Sequence, residues 1–352
     1  MYTFSGEFSI KGRRLHSLGL RIVISHLTFL IIFTFFNYLL AEAADLKIEI
    51  MQIKDSGSSP FWSPDGKEIA FVDKGGLFII SADGSNKNRK IVNGILRVPR
   101  WSPDGEYISY VDREGLKIIS PQGKHIKLIY PDNHVQMPIW SPDSKWIVFY
   151  LSELQGEKSS GVFTVNIETF QSKQLSYSGI NPCWTGDGKS VFYFTDDKTQ
   201  DSGQLFLADL NNNSIQKIAP MGGVCMNFNP ERTLLAFASK RTDGTSRGIY
   251  LAPPLQNETP IKLSDDGYFP SFSPDSKWVS FFRYEPNIKN TKIYITPSKG
   301  GELIEIGNGI YPRWAFNKTA LVYEMLSVKG GIYVARISER TVHSRNEKKH
   351  DN

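Results

Sequence analysis

The stretch GTSRG, Gly244 to Gly248, matches the G-x-S-x-G pattern of a nucleophile elbow. Such an elbow needs a strand before its serine, a helix after it, and a later Asp and His to activate the hydroxyl. The only histidines beyond Ser246 are His343 and His350, both in a charged tail, and the match falls in a loop between two expected strands. No catalytic residue is assigned. His125 and His134 lie nine residues apart across a strand and a loop, which reads as two surface histidines rather than a pair of metal ligands. Cys183 and Cys225 show no zinc or C-x-x-C spacing. Their neighbouring positions allow either a disulfide between repeats or two buried thiols. No metal or cofactor is expected.

The aspartates Asp65, Asp104, Asp143, Asp187 and Asp275 recur at one position of a repeated turn, with Glu231 and Asn317 in the remaining copies. Carboxylates of this number suggest a cation site. Each sits in its own segment, however, and a calcium ion needs several oxygens within ~2.3–2.6 Å of one point. The alternative is a turn residue whose carboxylate accepts local backbone N–H bonds beside a proline. The turn reading is the expectation.

The segments that carry these aspartates are copies of one another. They begin PFWSPDGKEIAFV at Pro60, PRWSPDGEYISYV at Pro99, PIWSPDSKWIVFY at Pro138 and PCWTGDGKSVFYF at Pro182. MNFNPERTLLAFA at Met226, PSFSPDSKWVSFF at Pro270 and PRWAFNKTALVYE at Pro312 follow. The aromatic anchors Trp62, Trp101, Trp140, Trp184, Phe228, Phe272 and Trp314 are spaced by 39, 39, 44, 44, 44 and 42 residues. Each copy reads as four short strands separated by turns, with no helical period.

The second strands are apolar on both faces, as in Ile69-Ala70-Phe71-Val72, so both must be covered. A unit of four strands cannot do this alone, and helical layers are missing. Sheets stacked radially into a ring satisfy every face, which predicts an all-β, seven-bladed β-propeller of four-stranded antiparallel blades. The last copy lacks a fourth strand, whereas Leu46 to Ile53 forms an unassigned strand before the first anchor. That N-terminal strand is expected to complete the last blade. The anchors read as aromatic wedges between neighbouring sheets.

The chain is divided as 1–43, 46–338 and 339–352. In the first part Lys11, Arg13, Arg14 and Arg21 precede a long apolar run that ends in Ala41-Glu42-Ala43. Basic, apolar, then small residues make an export signal, with an uncleaved membrane anchor as the alternative for so long a run. The propeller is therefore expected in the periplasm or outside the cell, touching membrane only through that segment if it is retained. The last part is read as a charged, flexible tail. Net charge is +5 from 41 basic and 36 acidic residues, with no arginine-rich strip, so a nucleic-acid partner is not expected.

The phrase P-x-W-S-P-D-G-K-x-I-A-F-V followed by G-x-x-I-Y-V resembles the WD40-like repeat (PD40) of TolB-type propellers, over about 46–338. The resemblance implies the repeat architecture and an exported location. TolB proteins place an α/β domain before a six-bladed propeller. No such domain is expected among these residues and seven copies are present, so a Tol–Pal role does not carry over. The repeat is also similar to those of prolyl oligopeptidase-like enzymes and oligogalacturonate lyases.

In such a ring the S-P-D-G hairpins occupy one end. The opposite end receives the links between blades and the loops between second and third strands. Those loops grow from VDKGG and VDREG to LSELQGEKSSG, TDDKTQDSG, SKRTDGTSRG and RYEPNIKNTK. Variable polar loops on a rigid scaffold mark a recognition surface. Its candidate residues are Asp132, Asn133, His134, Asp265, Asp266, Tyr268, Asn308 and Tyr311. Two functional readings stand: a non-catalytic scaffold that binds a protein or envelope component, with a glycan as a further candidate ligand, or a carbohydrate-active (lyase-like) or peptidase-related propeller enzyme.

Overall fold

Proline and a bulky aromatic recur two residues apart because each inner strand must bend and then wedge. A computed structural model describes residues 46–339, except 86, 152–159, 196–203, 220–223, 241–246, 254–258, 285–290 and 326–329. The segment read as an export signal, 1–43, and residues 340–352 of the expected tail thus lie outside the described residues. Lys47–Ser338 is one compact unit.

Among the described residues, 28 strands form seven four-stranded sheets. The first blade is a meander of Ser58–Trp62, Glu68–Asp73, Gly76–Ser81 and Arg89–Asn93. The other inner strands are Arg97–Trp101, Val135–Trp140, Ile180–Trp184, Val224–Phe228, Tyr268–Phe272 and Ile310–Trp314. The seventh blade holds Ile310–Trp314, Ala320–Glu324 and Ile332–Glu339, and Leu46–Lys54 adds to it as the outermost strand. The N-terminal strand therefore closes the ring, as the sequence predicts.

Every inner strand carries a bulge in its pairing with the second strand. In the first blade Ser58 faces Val72 but Phe61 faces Ala70, so one extra residue is accommodated. The same shift occurs in the six other blades. Ser59, Val98, Met137, Asn181, Phe269 and Tyr311 sit there with φ between 46° and 54°, and each precedes a proline. A left-handed backbone is costly for these side chains, and most so for β-branched Val98. Proline has no N–H to offer a ladder, so a bulge is where a strand tolerates it.

The anchors pack as wedges. Trp62 is buried with Ala315, Ala320 and Val322 of the seventh blade, and Trp140 with Val111, Leu116 and Ile118 of the second. Phe228 and Phe272 occupy the equivalent seams. Four indoles also tie blade to blade. Nε1 of Trp62, Trp140, Trp184 and Trp314 donates to the carbonyl oxygens of Arg313, Arg100, Ile139 and Ser271, at 3.0–3.1 Å. Trp101 Nε1 is buried without a partner. The second strands between these wedges are sealed on both faces, with Ile69, Ala70 and Phe71 fully buried.

Candidate functional site

The hairpin aspartates are satisfied within their own turns. Oδ1 of Asp65, Asp104, Asp143, Asp187 and Asp275 accepts from the hydroxyls of Ser63, Ser102, Ser141, Thr185 and Ser273 at 2.5–2.6 Å. The same oxygen accepts the backbone N–H two residues on, at 3.0–3.2 Å. Each hydroxyl in turn accepts an N–H five residues later, which closes the hairpin. In the fifth blade an amide substitutes. Asn229 Oδ1 accepts from Thr233 and Leu234, and Nδ2 donates to Glu231 at 2.8 Å. The hydroxyl bonds of Ser63 and Thr185 hold the carboxyls of Asp65 and Asp187 below the usual range. These are turn residues.

The hairpins also lock to one another. Asn317 Nδ2 donates to the Asp65 carbonyl at 2.8 Å, Ser144 Oγ accepts the Asp104 N–H at 3.1 Å, and Arg232 Nη1 reaches the Trp184 carbonyl at 3.1 Å. This end of the ring is built as a structural collar.

The opposite end is where the eight recognition candidates fall, in two separate groups. Asn133 and His134 line a cleft of about 320 Å³ together with Ile95, Arg97, Asp112, Arg113 and Gln136. Asp132 supports it from behind, accepting both the backbone N–H of His134 at 2.7 Å and its Nδ1 at 2.9 Å. Arg97 donates to the carbonyls of Asn133 and Val135, and Gln136 to that of His134, so the link is fixed by its neighbours. Two arginines, one aspartate and a histidine line the cleft, with Asp132 behind it, so its charge is mixed.

In the second group two tyrosines meet Phe282. Tyr268 stacks on Phe282 at 5.8 Å, and Tyr311 meets it edge-on at 5.4 Å. Phe269 and Tyr284 complete this aromatic cluster. Asp265 pairs with Lys262 at 2.7 Å, and the Asp266 carbonyl accepts from Arg283 at 3.3 Å. Asn308 ends the fourth strand of that blade, opposite Lys292. The described structure does not bring these five residues onto the cleft at Asn133 and His134.

Several further assignments can be placed. Ser246 lies outside the described residues, but the segment after it, Arg247–Ala252, is a strand and not the helix a nucleophile elbow requires. Cys183 is a free, buried thiol, which leaves the disulfide alternative without its first partner. The Cys225 side chain lies outside the described residues, as do the tips of the four long loops. His125 is exposed.

Sequence reasoning missed the inner edge of the ring. The residue before each anchor stands there: Phe61, Arg100, Ile139, Cys183, Asn227, Ser271 and Arg313. The guanidinium carbons of Arg100 and Arg313 lie 4.9 and 5.1 Å from the Phe61 ring centre. Burial pushes the Arg100 guanidinium well down, with repulsion from Arg313 adding to it. Burial likewise pushes Arg313 down to about 10. The signal available was alternation: an anchor buried between blades sets its predecessor on the other side of the strand.

Seven four-stranded blades closed by an N-terminal strand define the class as a seven-bladed β-propeller. The chain belongs to the TolB beta propeller domain family (PD40), whose pattern matches residues 76–290. Among solved structures it is similar to TolB from Acinetobacter baumannii, at 19% identity and a TM-score of 0.51 over 68% of this chain. It spans 60% of the length of that TolB chain. An oligogalacturonate lyase from Vibrio parahaemolyticus matches at 14% identity and a TM-score of 0.67, over 83% of this chain and 96% of its own. A prolyl endopeptidase matches at 11% identity and a TM-score of 0.60, over 82% of this chain and 51% of its own. At these identities the likenesses establish the fold alone. No functionally curated protein matches the sequence.

Proposed function

We propose that this propeller is an exported, non-catalytic recognition scaffold that binds a protein component of the cell envelope through the end carrying the inter-blade links. The observation that carries this reading is apolar exposure on that end. Ile95 is 74% and Tyr177 81% exposed, and both stand in links between blades. Tyr284, at the end of a second strand on the same side, is 44% exposed. Exposed tyrosine and aliphatic side chains beside a rigid polar cleft are the composition of a protein-binding patch. The fixed link at Asp132 to Gln136 supports this by lowering the ordering cost of binding. The basic and apolar N-terminal segment supports an extracytoplasmic location.

The test is affinity capture from envelope extract with the wild-type chain and with an Ile95→Ser, Tyr177→Ser double variant. Loss of the captured partner from a variant with an unchanged melting point is expected. Retention of every partner would reject this end as the site.

A further inference from the structure

The seven residues that precede the anchors surround the axis of the ring, and their charges do not balance. Arg100 comes from the second blade, Arg313 from the seventh and Cys183 from the fourth. The electrostatics of Arg100 are nonetheless coupled to both of the others. Blades two and four, and two and seven, are not neighbours, so this coupling acts across the channel. Phe61 lies beside both guanidinium groups, and Phe316 of the seventh hairpin leans over its ring at 6.3 Å. The group therefore sits toward the hairpin end of the central channel, away from the cleft at His134.

Among the described residues, neither guanidinium donates a hydrogen bond or forms an ion pair. Nε of Arg100 and Nε of Arg313 are each buried with no partner. Burying one such donor costs about 1–3 kcal/mol, and a charged one costs more. Glu324 is the carboxylate nearest in influence, coupled to Arg313. Its Oε2 already accepts the Ser59 N–H at 2.9 Å, and its coupling does not extend to Arg100. Arg232, hydrogen-bonded to the Trp184 carbonyl beside Cys183, adds a third cation to the region. The phenyl ring beside both guanidinium groups supplies little compensating charge.

We propose that Arg100 and Arg313 form a binding site for a small oxyanion, carboxylate or phosphate, at the hairpin end of the central channel. An oxyanion presents several acceptors to two planar forks and cancels the repulsion between them, which neither Phe61 nor Glu324 does. Asn227 and Ser271, on the next two positions of the inner edge before Arg313, add polar side chains, whereas Ile139 on the opposite arc is apolar and Cys183 is buried among core side chains. The site is independent of the envelope-binding end, and neither assignment rests on the other.

The test is calorimetric and thermal titration of the purified full chain at constant ionic strength. Sodium phosphate, sodium acetate and sodium citrate are the probes, with sodium chloride as the reference. Wild type is compared with Arg100→Met, Arg313→Met and their double variant. One equivalent of oxyanion should bind wild type and raise its unfolding midpoint. The double variant should bind at least tenfold more weakly. Removing a half-buried cation whose Nε has no partner should also leave the anion-free midpoint of each methionine variant equal to or above that of wild type. Arg100→Lys, which keeps charge but loses the fork, should weaken binding without abolishing it. A response to phosphate alone assigns the phosphate source, and a response to the organic acids alone assigns the carboxylate source. Equal response of wild type and double variant, or no response beyond chloride in wild type, overturns the proposal.

Discussion

Trp62 donates its indole N–H to the backbone carbonyl of Arg313 at 3.0 Å, joining the first blade to the seventh across 251 positions of sequence. The bond repeats the tie made by Trp140, Trp184 and Trp314, so closure uses the same joint as three of the other seams. Ring closure is thus secured twice, by this inner joint and by the outer strand Leu46–Lys54.

The indole ties separate two substitutions that would otherwise look alike. Trp140→Phe keeps the wedge but loses a bond at 3.1 Å, and should cost about 0.5–1.5 kcal/mol from the hydrogen bond. Trp101→Phe removes a buried N–H that has no partner, so it should cost less than Trp140→Phe or stabilise. Either residue replaced by alanine should cost about 3–5 kcal/mol as a core aromatic. Denaturant melts of the four variants check the ordering; equal costs for the two phenylalanine variants contradict it.

Ser141 is almost wholly buried, donates to Asp143 and accepts from Trp146. Ser141→Ala leaves that N–H unpaired and should cost about 1–3 kcal/mol. A calcium titration of the wild-type melting point should show no hairpin-dependent response, because these carboxylates are already committed to their own turns. A loss below about 0.5 kcal/mol for Ser141→Ala would show that the local network is dispensable.

Removing residues 46–53 strips the outer strand from the seventh blade while leaving the Trp62–Arg313 joint intact. The unfolding transition should move to lower temperature and broaden, as terminal repeats do when uncapped. An unchanged melt contradicts closure by that strand.

Glu324 is half of a pH argument whose sign is set by burial. Burial raises its carboxyl above the ordinary value of 4.5, with the Ser59 N–H and Arg313 opposing the rise. The native state therefore holds this proton more tightly than the unfolded chain. The associated stability is fully present below the unfolded value and is lost as pH rises through the folded one. Glu324→Gln should flatten that part of the profile relative to wild type. Asp65, shifted downward, acts oppositely: its contribution is present above its unfolded value and lost as pH falls through the folded one. Identical pH profiles for wild type and Glu324→Gln as pH rises above the ordinary carboxylate value would contradict the burial argument.

The blades, the wedge and the closing strand were legible because repetition multiplies weak signals. A single W-S-P-D-G is ambiguous, whereas Trp62, Trp101 and Trp140 at equal spacing fix a period and a common buried face. The role of Asp65 followed from geometry, since residues in separate blades cannot converge. The bulge was hidden because Ser59, Val98, Met137, Asn181, Phe269 and Tyr311 share no side-chain type that advertises a positive φ. Only the proline after each hinted at an interrupted ladder. Arg100 and Arg313 were hidden for the opposite reason. Their position varies from copy to copy, as Phe61, Ile139 and Ser271 show, so the repeat itself draws attention away from it. Among the recognition candidates, Asn133 and His134 lie in the link that the repeat pattern placed between blades. That pattern had no means of finding Arg97, Arg113 and Gln136, which complete their cleft from a neighbouring loop and strand.

The central claim is that recognition occurs at the end carrying the links, with the hairpin end acting as a collar. Hydrogen exchange on the propeller with and without its captured envelope partner tests this most directly. Binding should slow exchange at 95–97, 112–113, 133–136 and 177–179, and leave the hairpins at 63–67, 102–106 and 141–145 unchanged. Protection confined to those hairpins, with the link end unaffected, would contradict it.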